Sequence, residues 1–317
     1  MAINGEQFVD DSLANVATGI ALNGDDVYFS GSYVEEGSSV QYPAYWKNGQ
    51  RTILAIPDGS SGFAEDIAIR NDTVFVSGSY DLSDGPERPC LWTNGEFEDL
   101  ELPEGMENSA KASRIAVVGS DIYVSGYYVE TVGSGTEDDV GKICYWKNGA
   151  RTDIASVTGL TSIMVFGITT SGTDVYVCGA SNDGSGNLVP TYWNVSGDSP
   201  DKATLGAGSA TKARVIDMHF ADSSIRAVGT YYDESDGWMP AYWENGALTT
   251  LETDNTSTGD YQVGISLAVD GSDVYVIGMR SDEYEGEIPS LWKNGSIVNL
   301  YSGESFGFML DVAVKRY

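Results

Sequence analysis

Short apolar runs recur along the chain, each closed by glycine. Val27-Tyr28-Phe29-Ser30-Gly31 returns as Val74-Phe75-Val76-Ser77-Gly78 and Ile122-Tyr123-Val124-Ser125-Gly126. Three further copies are Val175-Tyr176-Val177-Cys178-Gly179, Ile225-Arg226-Ala227-Val228-Gly229 and Val274-Tyr275-Val276-Ile277-Gly278. The runs are rich in β-branched and aromatic residues and bounded by Gly, Asn and Asp, which predicts strands. Helical spacing is not sustained anywhere. A second mark follows each run: Tyr45-Trp46-Lys47-Asn48-Gly49, then the tryptophans Trp92, Trp146, Trp193, Trp243 and Trp292 in related contexts. Five of the six copies put Asn-Gly two residues after the Trp, and the fourth, Trp193-Asn194, is looser.

Successive tryptophans lie 46 to 54 residues apart, and the gap from run glycine to Trp is 14 or 15 residues except for 20 in the third copy. Each unit divides into four strands, called a to d here. Strand a is Gly19-Ile20-Ala21-Leu22 in the first copy, and strand b is the glycine-closed run. Strand c carries the Trp, and strand d follows the Asn-Gly turn. Asn-Gly supplies the positive φ angles of a two-residue type I′ hairpin. Four antiparallel strands repeated six times predict an all-β fold, a β-propeller forming one domain over residues 1–317. Stacked blades bury both faces of each sheet, so adjacent Tyr45 and Trp46 can both be covered. Asn4 to Asp10 resembles the start of a strand d, and Asp311-Val312-Ala313-Val314 resembles a strand a. Six full blades with a terminal clasp are therefore expected, with seven blades, one incomplete, as the alternative.

The order strand, short turn, Ile/Val-Tyr-x-x-Gly, loop, Trp and last strand resembles the kelch-type repeat. It is also similar to the Trp-x-Asn-Gly repeat propellers of bacterial surface proteins. The chain departs from kelch by having one glycine where kelch has a doublet, and by an earlier Trp. The resemblance implies the propeller architecture and transfers no functional residue.

Charge narrows the partners. The chain carries 47 acidic and 17 basic residues, a net charge of −30. Phosphate contacts need clustered Lys and Arg, so nucleic acid is not expected as a partner. No apolar run is long enough to span a membrane as a helix. Met1 to Gly5 shows no basic region leading into an apolar core, so no leader is expected there. Rigid repeats with variable loops point instead to a binding module outside the cytoplasm, either extracellular or at a cell surface or in a periplasm. Cys90, Cys144 and Cys178 replace small or apolar residues at repeat positions and are expected as packed thiols.

Candidate chemistry falls on the b–c loops and d–a connections, which share the variable end of a propeller. Residues opening the innermost strands run Gly19, Asp66, Arg114, Gly167, Asp217, Gly264 and Asp311. Asp66, Arg114, Asp217 and Asp311 are thus expected around one channel mouth, with His219 two residues beyond Asp217 on the same side. They would hold a small polar ligand or cation, or pair with one another. Asp183, Ser185 and Asn187 alternate oxygen side chains as calcium loops do, making Ca²⁺ a possible ion although no cofactor is required. Tyr33, Tyr80, Tyr127, Tyr128, Tyr231 and Tyr232 follow the strand b glycines. They would either stack on sugars or pack over the next blade. No nucleophile elbow or phosphate loop is present. A non-catalytic module with a protein or glycan partner is the expectation. The alternative is a carbohydrate-active enzyme or lectin using channel carboxylates and loop aromatics.

Overall fold

The computed structural model describes residues 16–82, 85–106, 108–131, 139–158, 167–221, 224–253, 262–282, 286–298 and 310–314. These residues form six four-stranded antiparallel sheets and no helix. Blade one is β1 (Val16–Asn23), β2 (Asp26–Val34), β3 (Gln41–Lys47) and β4 (Gln50–Ile53). Blade two is β5 (Ser60–Arg70), β6 (Thr73–Leu82), β7 (Arg88–Thr93) and β8 (Glu96–Asp99). Blade three is β9 (Ala110–Val118), β10 (Asp121–Thr131), β11 (Asp139–Lys147) and β12 (Ala150–Thr158). Blade four is β13 (Ile168–Ser171), β14 (Asp174–Asn182), β15 (Leu188–Asn194) and β16 (Asp201–Thr204). Blade five is β17 (Ala213–Ala221), β18 (Ser224–Asp233), β19 (Gly237–Glu244) and β20 (Ala247–Thr250). Blade six is β21 (Val263–Asp270), β22 (Asp273–Asp282), β23 (Gly286–Lys293) and β24 (Ser296–Val298).

Every sheet pairs in chain order, and the innermost strands β1, β5, β9, β13, β17 and β21 pack one against the next. The repeat marks now have causes. Asn48, Asn94, Asn148, Asn245 and Asn294 have φ of 48° to 52°, and the glycines that follow have φ of 81° to 89°. Both central residues are left-handed, as a type I′ turn requires. The asparagine does more than turn the chain. Its Oδ1 accepts the first strand b N–H, from Val27, Val74, Ile122, Ile225 or Val274, at 2.8–3.1 Å. Blade four lacks Asn-Gly, and there Ser196 Oγ takes the equivalent N–H of Val175.

Five of the six tryptophans are fully buried between blades, and Trp46 is half-buried. The indole N–H of Trp92, Trp146, Trp243 and Trp292 donates to the preceding blade's connection, at Ala55, Glu101, Gly206 and Glu252 O, over 2.5–2.7 Å. The equivalent connection before Trp46 lies outside the described residues. Burying each of these rings stabilises by about 1.5–3 kcal/mol. All three cysteines are buried free thiols.

The strand b glycine is set by a β-bulge. Strand a gains one residue in blades one, two, three, five and six, seen as a register shift beside Gly19, Asp66, Arg114, Asp217 and Ser266. The bulge drives a strand a carbonyl against strand b. A Cβ on Gly31, Gly78, Gly126, Gly229 or Gly278 would lie 1.9–2.1 Å from that oxygen, so only glycine fits. The residue after each bulge is re-aimed toward the channel and the neighbouring blade.

Residues 310–314 carry no strand assignment, yet Asp311 fills a seventh position in this inner ring. Ile20 N–H of blade one donates to its Oδ2, and Ser266 Oγ of blade six contacts its Oδ1. Six full blades are thus closed by a C-terminal segment lying between the last and the first. The expected extra strand over Asn4 to Asp10 lies outside the described residues.

Candidate functional site

Asp66, Arg114, Asp217 and Asp311 come together at the inner ring, as their repeat positions predicted. The sixth member is a correction. Ile277 pairs with Ser266, as Ser77 pairs with Asp66, so Ser266 and not Gly264 stands at the ring position. The bulge shifts strand a by a residue that spacing alone does not count.

The carboxylates bind the chain itself. Asp66 Oδ1 accepts Ile67 N–H at 2.8 Å, and Oδ2 accepts Ile115 N–H of the next blade at 2.9 Å. Asp217 repeats this with Met218 and Leu267, and Asp311 with Val312 and Ile20. Each Asp therefore pins its own strand and the next. Arg114 is 8% exposed; its guanidinium donates to Leu310 O at 3.2 Å and Thr18 O at 3.5 Å, and lies 3.9 Å from Asp66. It ties blade three to blade one and to the closing segment.

Protons matter in so crowded a ring. Burial pushes the Asp66 carboxyl up to about 7, against the pull of Arg114. Asp217 is raised for the same reason. Ser266 Oγ lies 3.0 Å from Asp217 and 2.7 Å from Asp311. A hydroxyl has one proton to give, so both contacts are hydrogen bonds only when one carboxyl is protonated.

His219 stands apart from this ring. It pairs across the sheet with Arg226, about 7 Å along the strand from Asp217 at ~3.3 Å per residue. Burial, and then Arg226, lower its pKa. No hydrogen bond or ion pair joins it to the four ring residues among the described residues. The ring thus holds a salt-bridged closure, and His219 lies outside it.

The calcium-like loop closes on itself. Asp183 Oδ1 accepts Ser185 N–H and Asn187 N–H, while Oδ2 accepts Asn187 Nδ2 at 2.9 Å. Asn187 thus donates to the carboxylate beside it. No group of three or more His, Cys, Asp or Glu side chains with metal-site geometry occurs among the described residues.

The loop aromatics divide. Tyr33, Tyr80 and Tyr128 are buried inside strands, and are not a rim. Arg51 stacks over Tyr33 at 4.0 Å and Arg151 over Tyr128 at 4.9 Å. The hydroxyls of Tyr80 and Tyr128 donate to Asp99 and Asp153. Tyr127 is largely buried, and burial raises its phenol.

Tyr231 and Tyr232 instead line a cleft of about 520 Å³. Its other walls are the d–a connection Ala207 to Thr211, the b–c loop residues Asp233, Glu234 and Ser235, and Leu248. The connection and the loop meet because Tyr232 N–H donates to Lys212 O, and Leu188 N–H to Thr211 O. Lys212 lies over the Tyr232 ring at 5.7 Å, Trp238 meets Tyr232 edge-on, and Arg214 lies over Trp238. The cleft is what sequence reading missed, because its opening depends on small residues, Gly206 to Ala210, and on Leu248 far from Tyr231 in sequence.

No known family profile matches the chain, and no curated protein matches it in sequence. Solved structures do resemble it. A puromycin-hydrolysing peptidase of Mycobacterium tuberculosis aligns at 12% identity with a TM-score of 0.51, over 91% of this chain and 46% of that one. A Trypanosoma rangeli sialidase bound to the inhibitor DANA aligns at 8% identity and TM-score 0.50, over 89% and 55%. The β-propeller domain of the Trilobed protease from Pyrococcus furiosus gives 14% identity and TM-score 0.49, over 90% and 84%. The chain spans about half the length of the first two. At such identities the shared feature is the propeller fold, which hosts many unrelated functions. No helix among the described residues is long and apolar enough to cross a membrane.

Proposed function

We propose that this chain is a non-catalytic binding propeller whose ligand or partner docks on the b–c/d–a end, at the cleft between blades four and five. The observation that carries the reading is the cleft itself: two tyrosines, two carboxylates and a connection of small residues facing open space. The ring residues Asp66, Arg114, Asp217 and Asp311 serve closure in this reading, because their oxygens and nitrogens are taken by the chain's own backbone. A partner-binding role agrees with the resemblance to Trp-x-Asn-Gly repeat propellers, and with a place outside the cytoplasm.

One observation favours a second reading, a carbohydrate-active enzyme. Asp66 is held near pH 7, where an acid catalyst works best. It is nearly buried, however, and both its oxygens already accept backbone N–H groups. Hydrogen–deuterium exchange with a panel of basic peptides and neutral oligosaccharides separates the two readings. Protection at 207–211 and 231–235 is expected for one member of the panel. Protection at 66–67 and 217–218 together with polysaccharide turnover would reverse the ranking. Calcium is expected to leave the melting temperature unchanged, since Asp183 already closes its loop; a rise would place an ion there.

A further inference from the structure

The repeats supply their own comparison for the cleft, because each blade solves the same packing problem at the same positions. Two residues after the strand b glycine stand Tyr33, Tyr128 and Tyr231 in blades one, three and five. Opposite the strand c Trp, on strand d, stand Arg51, Arg151 and Leu248. In blades one and three the arginine lays its guanidinium on the tyrosine ring. In blade five the arginine is replaced, and the tyrosine in question borders the cleft beside Leu248.

Two more replacements widen the space. Asp153, which receives the Tyr128 hydroxyl, is Thr250 in the fifth blade. Glu101, whose carboxylate accepts Arg151 N–H, is Gly206, matched by the carbonyl that each offers to the next Trp. Blade three thus has a cation, an arene and two carboxylates where blade five has an arene and open space. The negative charge returns at the rim, as Asp233 and Glu234. Asp233 and Asp236 lie near enough to Tyr231 to raise its phenol, after burial. Tyr232 already carries Lys212, whereas Tyr231 has no cation over its ring among the described residues.

We infer that the cleft receives in trans the group that blades one and three supply in cis: the guanidinium of an arginine in a basic peptide segment of a partner protein. The inference rests on the binding reading of this end and names its ligand chemistry. The guanidinium stacks on Tyr231, where its quadrupole attracts a cation, and its N–H groups face Asp233 and Glu234. The acidic surface steers a basic segment toward the site.

The test is calorimetric titration of the chain with N-acetyl tri-arginine amide at low salt, beside tri-lysine and a neutral trisaccharide. The expected result is saturable one-to-one binding that Leu248→Arg weakens at least tenfold, by restoring the guanidinium in cis. Tyr231→Ala should weaken it several-fold, and Glu234→Gln should lower affinity and flatten its salt dependence. Leu248→Arg is checked for an unchanged melting temperature; if it does not fold, Tyr231→Ala and Glu234→Gln decide. Equal binding to parent and variants would reveal only general attraction to an acidic chain and overturn the inference. No binding of tri-arginine overturns it as well. Binding of the neutral trisaccharide alone, with protection at 231–235, overturns it while leaving the binding reading intact. Protection elsewhere on the fold overturns both.

Discussion

The inner ring and the blade-five cleft are both polar, both acidic and both built from repeat positions, yet they are opposites in bonding. At the ring, six backbone N–H groups reach the oxygens of Asp66, Asp217 and Asp311, and Arg114 ties together two carbonyls and a carboxylate. In the cleft, Tyr231 and Glu234 have no hydrogen-bond partner among the described residues. A surplus of carboxylates therefore says little about where a ligand binds. Whether the chain satisfies those groups itself separates architecture from site.

The sharpest way to break this contrast is Arg114→Ala. Removing one member of a buried ion pair costs about 3–5 kcal/mol. Urea unfolding should register a loss of that order; a loss below about 1 kcal/mol would mean that the ring is not a structural closure. Gly78→Ala comes next. The added methyl meets the bulge carbonyl of Phe63, so overpacking by about 1–3 kcal/mol is expected in the same measurement.

The ring also leaves a signature in pH. Asp66 has its folded pKa raised from 3.8 to about 7, so folding takes up protons between those values. Stability from this group is greatest below about pH 4, falls as pH rises to about 7, and is level above it. Asp217, raised by burial, adds to the same slope, and Arg114 and Asp311 face both. Exposed Asp121 and Asp273 are shifted down and act only at lower pH. Urea unfolding from pH 4.5 to 7.5 should show the decline, and Asp66→Asn should flatten it. An undiminished slope in that variant would assign the effect elsewhere.

Smaller effects sharpen the periphery. Asn148→Ala removes the bond to Ile122 N–H and strains a left-handed turn, for about 1 kcal/mol. Glu234→Gln, at the cleft, should change stability by less than about 0.5 kcal/mol, as surface substitutions do.

The blades were legible in the sequence because Trp, Asn-Gly and the strand b glycine each answer a local demand, and each recurs. Asp66, Arg114 and Asp217 could be placed around one axis from spacing alone. Their saturation could not, since the N–H donors come from Ile115, Leu267 and Ile20 on other blades. Nor could Ser266, because a bulge adds a residue that no spacing reveals. Tyr33, Tyr80 and Tyr128 looked like loop residues, but strand b runs past them and buries them. The cleft arises from what Gly206, Leu248 and Thr250 lack, and an absence becomes visible only when the blades are superposed in register.

The central claim is that the ring closes the fold and the cleft binds. It is tested most directly by titrating N-acetyl tri-arginine amide into Asp217→Asn and Leu248→Arg side by side. The account predicts parental affinity for the ring variant and at least a tenfold loss for the cleft variant. Loss in Asp217→Asn with full binding by Leu248→Arg would contradict it.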